Sequence, residues 1–131
     1  MIPLLKKITI TAAVLGLTAI VLGAFGAHAL KKVLSIEQLS TFETGVKYQM
    51  YHALFLLFLG STTLIDIKVK KFVFYMVTTG VFLFSGSIYI LATNNLTGVN
   101  FKPVGILTPI GGLFLVAGWG LIIVNLIKNK S

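Results

Sequence analysis

The sequence predicts an all-α protein: an integral membrane four-helix bundle with a short interfacial amphipathic helix between helices one and two. Three observations predict it. Charged residues make up 11% of the chain against 56% hydrophobic, mean hydropathy is +0.99, and the few charges punctuate four long uncharged runs. A soluble domain carries about a quarter charged residues, so this chain has too few to clothe a water-facing surface. The 131 residues are read as a single transmembrane domain, 1–131.

The uncharged runs cover 8–30, 48–65, 72–101 and 103–127. A helix needs about 20 mostly apolar residues to cross the hydrocarbon. The third run must also hold a loop, placed at the turn-rich cluster Thr93-Asn94-Asn95-Leu96-Thr97-Gly98. The expected spans are therefore 8–30, 48–66, 72–93 and 104–127.

The first span follows Lys6 and Lys7 and ends near Ala27-His28-Ala29, which imitates a signal-peptidase site. Its apolar run is longer than a signal core, so it is expected to be retained as a helix. Ala12, Gly16, Ala19, Gly23 and Ala27 recur along one face of it, with Gly26 beside them. Small residues at that spacing let a neighbouring backbone come close.

After it, Ser35-Ile36-Glu37-Gln38 matches a capping box. Ile36, Leu39, Phe42 and Val46 then recur at helical spacing. A short amphipathic helix lying at the interface is expected here, with continuation into the second span as the variant. The fourth span carries Gly105, Gly111, Gly112 and Gly118 for close packing and Pro109 for a bend. Trp119 lies deeper than an interfacial belt residue and is expected to pack on a small-residue face.

Lysine placement orients the chain. All eleven basic residues are lysine. Seven (Lys6, Lys7, Lys68, Lys70, Lys71, Lys128, Lys130) fall on the side of the termini and middle loop, and four (Lys31, Lys32, Lys47, Lys102) on the other. The positive-inside rule then makes this a multi-pass plasma-membrane protein with both termini cytoplasmic. With that alternation, His28, Glu43, Tyr48, Gln49, His52, Ser85, Ser87, Tyr89 and Thr108 are expected to gather at the outer ends of the helices. His28 and His52, on consecutive helices, are expected to approach one another.

Four ordered motifs carry a resemblance: Gly23-Ala24-Phe25-Gly26-Ala27-His28, Thr44-Gly45-Val46-Lys47-Tyr48-Gln49 with His52, Phe84-Ser85-Gly86-Ser87-Ile88-Tyr89, and Thr108-Pro109-Ile110-Gly111-Gly112 with Ala117-Gly118-Trp119. Together they resemble the YgdD/YwdK family of small bacterial membrane proteins, domain of unknown function 423. The resemblance spans almost the whole chain. It implies a four-helix plasma-membrane protein and no activity.

Several functions are disfavoured by composition. Without cysteine there are no disulfides, thiolate metal sites or cysteine nucleophiles. The net charge of +8 is scattered in short lysine groups, so nucleic acid is not an expected partner. Mid-span carboxylates, which a proton or ion relay uses, are absent from the expected spans. Asp66 is read as a solvated ion pair with Lys68 and Lys70. No enzyme activity is expected, and no set of residues has the spacing of a metal site. The expected function is a non-catalytic packing or interaction module affecting membrane or envelope integrity. Its expected partners are the lipid bilayer and a second copy or another membrane protein. The alternative is a carrier for a small apolar or metal-containing ligand (lipid, quinone, haem) held among the polar residues, whose identity the sequence leaves unknown.

Overall fold

The structure, a computed structural model, describes residues 3–98 and 102–128; Lys130, used in the orientation argument, lies outside them. The described residues are helical throughout, with no strand among them. Four helices are long: α1 (Pro3–His28), α2 (Ile36–Ser61), α3 (Ile67–Ala92) and α5 (Leu107–Lys128). One-turn α4 (Asn94–Thr97) occupies the predicted loop, which closes on Gly98 in the left-handed conformation at φ 71°. A 3-10 turn, Lys102–Ile106, leads into α5.

Three stretches are long and apolar enough to cross a membrane: Pro3–Lys32, Ile67–Ala92 and Pro103–Lys128. α2, which carries Glu37, Glu43 and Lys47, falls outside that group.

α1, α2 and α3 begin earlier than the uncharged runs that mark them, and α5 begins within its run. The expected short interfacial helix is corrected: residues 36–47 are the first half of α2, one unbroken 26-residue helix. Its start is the predicted capping box. Gln38 N–H donates to Ser35 Oγ (3.1 Å) and Ser35 N–H donates to Gln38 Oε1 (3.0 Å). Gly45 does not interrupt it, because there the helix packs against Ile88 and Tyr89. Pro109, the residue expected to bend the fourth span, falls near the start of α5. It is the third residue of that helix, in the first turn, where backbone N–H groups have no helical partner to lose.

Contacts set the direction of each pair. Against α1 residues 9, 16, 23 and 26 lie α2 residues 60, 53, 46 and 42, so α1 and α2 run antiparallel. α2 and α3 are antiparallel as well, meeting at Gly45–Ser85 and again at Thr62–Lys70. α3 and α5 are antiparallel through Ser87–Thr108, Phe84–Gly111 and Val77–Gly118. Packing follows the order α1–α2–α3–α5, leaving α1 and α5 on the flanks.

One apolar cluster runs through all four helices, with Ile8, Ala12, Leu56, Leu59, Val73, Val77, Leu115 and Ile122 at its heart. A smaller one, Leu30, Leu34, Phe42 and Ala92, closes the end where α1 turns into α2. Large side chains elsewhere face outward: Leu17, Ile20, Phe82, Leu113 and Val116 are each more than 60% exposed. In water such a surface would drive association; in a bilayer the lipid covers it.

Candidate functional site

Two polar centres sit inside the bundle. The first is built on Gln49, which is buried. Its Nε2 donates to the Leu15 carbonyl (2.9 Å) and to Thr18 Oγ1 (2.7 Å), and its Oε1 accepts from the Tyr89 hydroxyl (2.6 Å). One amide thus ties α1, α2 and α3 and uses three of the four hydrogen-bonding positions it owns. Beside it, Ser85 Oγ donates to the Gly45 carbonyl at 2.8 Å, and Tyr89 stacks obliquely on Phe42 with centroids 5.1 Å apart. The Cβ that an alanine would carry at position 45 falls 2.7 Å from the Tyr89 ring. Glycine there lets the tyrosine lie flat on α2 and reach Gln49.

The second centre is built on His52, also buried. Its Nε2 receives the Trp119 indole N–H at 3.1 Å, and its Nδ1 lies 2.7 Å from the Tyr48 carbonyl. Indole N–H only donates, so Nε2 is the acceptor. Nδ1, facing a carbonyl, must then carry the proton. These partners assign His52 as the neutral Nδ1–H tautomer. Both nitrogens are spent inside the protein. Around the ring, Phe55 meets Trp119 at 4.4 Å and Tyr48 meets Phe84 at 4.9 Å between centroids. A groove of about 500 Å³, lined by Tyr48, His52, Phe84, Gly112, Trp119 and Gly120, opens beside them.

These positions correct the expected gathering. α2 starts at Ile36, which moves Gln49 and His52 to its middle instead of its first turns. His28 ends α1, exposed, at the level where α2 passes Thr41 and Phe42. About ten residues of helix separate that level from His52, on the order of 15 Å of axial rise, so the two histidines do not approach each other. Glu43 is exposed on α2, while Phe42 and Gly45 beside it are buried. Ser87 and Thr108 do meet, with hydroxyls 2.5 Å apart across α3 and α5. Tyr48, Gln49, His52, Ser85 and Tyr89 are brought into two neighbouring groups.

Three contributors stand outside the polar gathering expected from the sequence. Thr18 caps the Gln49 amide, Trp119 is a hydrogen-bond donor as well as a packing residue, and Asn125 clasps Asp66. The Asp66 reading is corrected here. Asn125 Nδ2 donates to its carboxylate at 2.9 Å, and Asp66 N–H donates to Asn125 Oδ1 at 3.1 Å, pinning the α2–α3 turn to α5. Lys70 instead donates to the Thr62 carbonyl. A lone polar residue within an apolar run, as at 18 and 125, is the signal that could have found the first and last of these.

The glycines divide by how much they are needed. A Cβ at Gly16 or Gly23 would sit at ordinary contact distance, 3.7 Å from Ala53 or 3.5 Å from Val46, and one at Gly112 would lie 3.7 Å from Phe84. At Gly26 it would press on Phe42 at 3.1 Å. At Gly118 it would strike Val77 at 2.5 Å, and at Gly111 it would strike the backbone of Phe84 and Gly80. Among the described residues, no three histidine, aspartate or glutamate side chains come together as a metal-ligand group.

Long apolar helices clasped by buried polar pairs define a helical membrane protein. The comparisons say which kind. The sequence model of a family described as a protein of unknown function, DUF423, matches residues 22–112. The chain is 38% identical over 127 residues to a UPF0382 membrane protein of Staphylococcus haemolyticus, covering 95% of this chain and 98% of that one. It is 35% identical over 124 residues to the UPF0382 inner membrane protein YgdD of Escherichia coli K12, covering 92% and 89%. The chain therefore belongs to the DUF423 (UPF0382) family of membrane proteins, the family its four motifs resemble. No solved structure matches it.

Proposed function

We propose that the protein is a non-catalytic packing module of the plasma membrane, spanning it four times with both termini cytoplasmic and acting on envelope integrity through its neighbours in the bilayer. The observation that carries this reading is the occupancy of His52. The one imidazole deep in the bundle has both nitrogens bonded within the protein, to Tyr48 and Trp119. Gln49, Ser85, Ser87 and Asn125 are likewise bonded to other helices or to the turn between α2 and α3. Polar groups used this way fasten helices together in lipid, where hydrophobic attraction between them is missing.

Four crossings are supported by packing. α2 lies between α1 and α3, antiparallel to both, and five residues (62–66) join it to α3. If its flanking helices cross, it crosses with them. A 26-residue helix is about 39 Å long against a hydrocarbon of about 30 Å. The surplus of about 9 Å, about six residues, leaves the first turns of α2 among the headgroups. Single cysteines at Lys6 and Thr63, in a chain with no native cysteine, test the topology. Both should be blocked only by a membrane-permeant reagent in whole cells, whereas Ser35→Cys should react with an impermeant one. Labelling of Lys6→Cys from outside contradicts the arrangement.

The function is tested by complementing a deletion strain under envelope stress with Gln49→Leu and His52→Phe. Rescue should track the amount of folded, inserted protein. A variant present and folded at the wild-type level that fails to rescue would overturn the reading in favour of a ligand carrier. The groove beside His52 and Trp119 is where such a ligand would sit, and protein purified in mild detergent with stoichiometric haem, quinone or metal would establish it.

A further inference from the structure

At the end of the bundle holding the first turns of α1 and α3, charge is unbalanced. Lys6, Lys7, Lys68, Lys70, Lys71 and Lys128 cluster there with, among the described residues, a single carboxylate side chain, Asp66, which Asn125 already engages. Lys70 is spent as well, on the Thr62 carbonyl. Lys7 reaches across to α3. Its Nζ donates to the Tyr75 hydroxyl at 2.8 Å and lies 5.3 Å from the centre of that ring. The Tyr75 oxygen is therefore an acceptor here, and its own proton is left to give to an outside group.

Beside Tyr75 a crevice of about 390 Å³ runs along one face of α3, with Phe114 of α5 at its edge. Lys68 and Lys71 stand at its mouth; Phe72, Met76 and Phe114 form its apolar walls, with Thr79 deepest along α3. Residues 68, 71, 72, 75, 76 and 79 share one face of α3, and from Lys68 to Thr79 the helix rises about 16 Å. A second crevice, also about 390 Å³, adjoins it through Lys71 and Tyr75 and is walled by Leu4 and Lys7.

We infer that this crevice holds one anionic glycerophospholipid, its phosphate between Lys68, Lys71 and the Tyr75 hydroxyl and an acyl chain lying along Phe72, Met76 and Phe114. Charge selects the ligand at the mouth. A zwitterionic lipid brings its own ammonium to a site already crowded with lysines, and an anionic one does not. The apolar walls exclude a free phosphate as the natural occupant, because they would stay uncovered. The site stands apart from the proposed function and does not depend on it. Under the proposed topology it faces the cytoplasmic leaflet.

Native mass spectrometry of the full chain in detergent, titrated with dioleoyl phosphatidylglycerol, with dioleoyl phosphatidylcholine or with inorganic phosphate, tests it. Phosphatidylglycerol should be retained at least tenfold more tightly than phosphatidylcholine, and inorganic phosphate should not displace it. The double variant Lys68→Gln/Lys71→Gln should bind it about 25-fold more weakly, about fivefold per lysine. The control Lys6→Gln/Lys128→Gln, which removes the same charge at the same end, should change it less than twofold. Tyr75→Phe gives a second reading of the site, with a loss of about fivefold expected. Equal losses in the two double variants, equal retention of the two lipids, or displacement by inorganic phosphate would each overturn the assignment.

Discussion

The seam between α1 and α2 and the seam between α3 and α5 use the same residue type for different ends. α1 presents Gly16 and Gly23 to Ala53 and Val46, and at both positions there is room for a methyl group. α3 and α5 instead bring backbone onto backbone, with Gly111 against Phe84 and Gly80. The first seam gains its specificity from a hydrogen-bonded amide, Gln49, reaching Leu15 and Thr18. The second gains it from contact at the peptide chain itself. The comparison teaches that a stripe of small residues marks a helix face without saying how close the neighbour comes.

Gly111→Ala is the sharpest way to break this contrast. A Cβ there meets backbone that cannot rotate away, so the bundle should lose about 3 kcal/mol or more, seen as a fall in thermal midpoint in detergent. Gln49→Leu attacks the other seam and should cost about 1–2 kcal/mol, since the Tyr89 hydroxyl and the Thr18 oxygen each lose a partner in lipid. A double-mutant cycle of His52→Phe with Trp119→Phe should yield a coupling of about 0.6 kcal/mol and no more than about 1.7. Gly16→Ala should shift stability by less than about 0.5 kcal/mol. A large loss at Gly16 with tolerance at Gly111 would reverse the roles of the two seams.

Much of the architecture is legible before any coordinates. Runs free of charge mark all four long helices, and Ser35 with Gln38 marks the start of α2 to the residue. The ends of the helices are less legible, for one physical reason. Lysine and glutamate end the hydrocarbon layer, but they are good helix formers and do not end a helix. α2 therefore extends upstream through Glu43 and Lys47, and α3 through Lys68, Lys70 and Lys71. That displacement of α2 is what carries His52 away from His28.

The candidate site was legible by residue type and not by pairing. Tyr89 with Gln49 and Ser87 with Thr108 are polar groups that a dry interior must satisfy, so singling them out followed from chemistry. Which meets which depends on the axial register of antiparallel helices, which the sequence alone does not set. Trp119 shows the limit: its depth suggested packing, and only the register places its N–H on His52.

Nitrogen-15 spectroscopy of histidine-labelled protein in micelles or nanodiscs tests whether the buried imidazole is a fastener between helices. The geometry predicts a neutral ring at His52, protonated on Nδ1, with an Nε2 signal that moves when Trp119 becomes Phe. A His52 carrying its proton on Nε2, with a signal indifferent to Trp119→Phe, would contradict it.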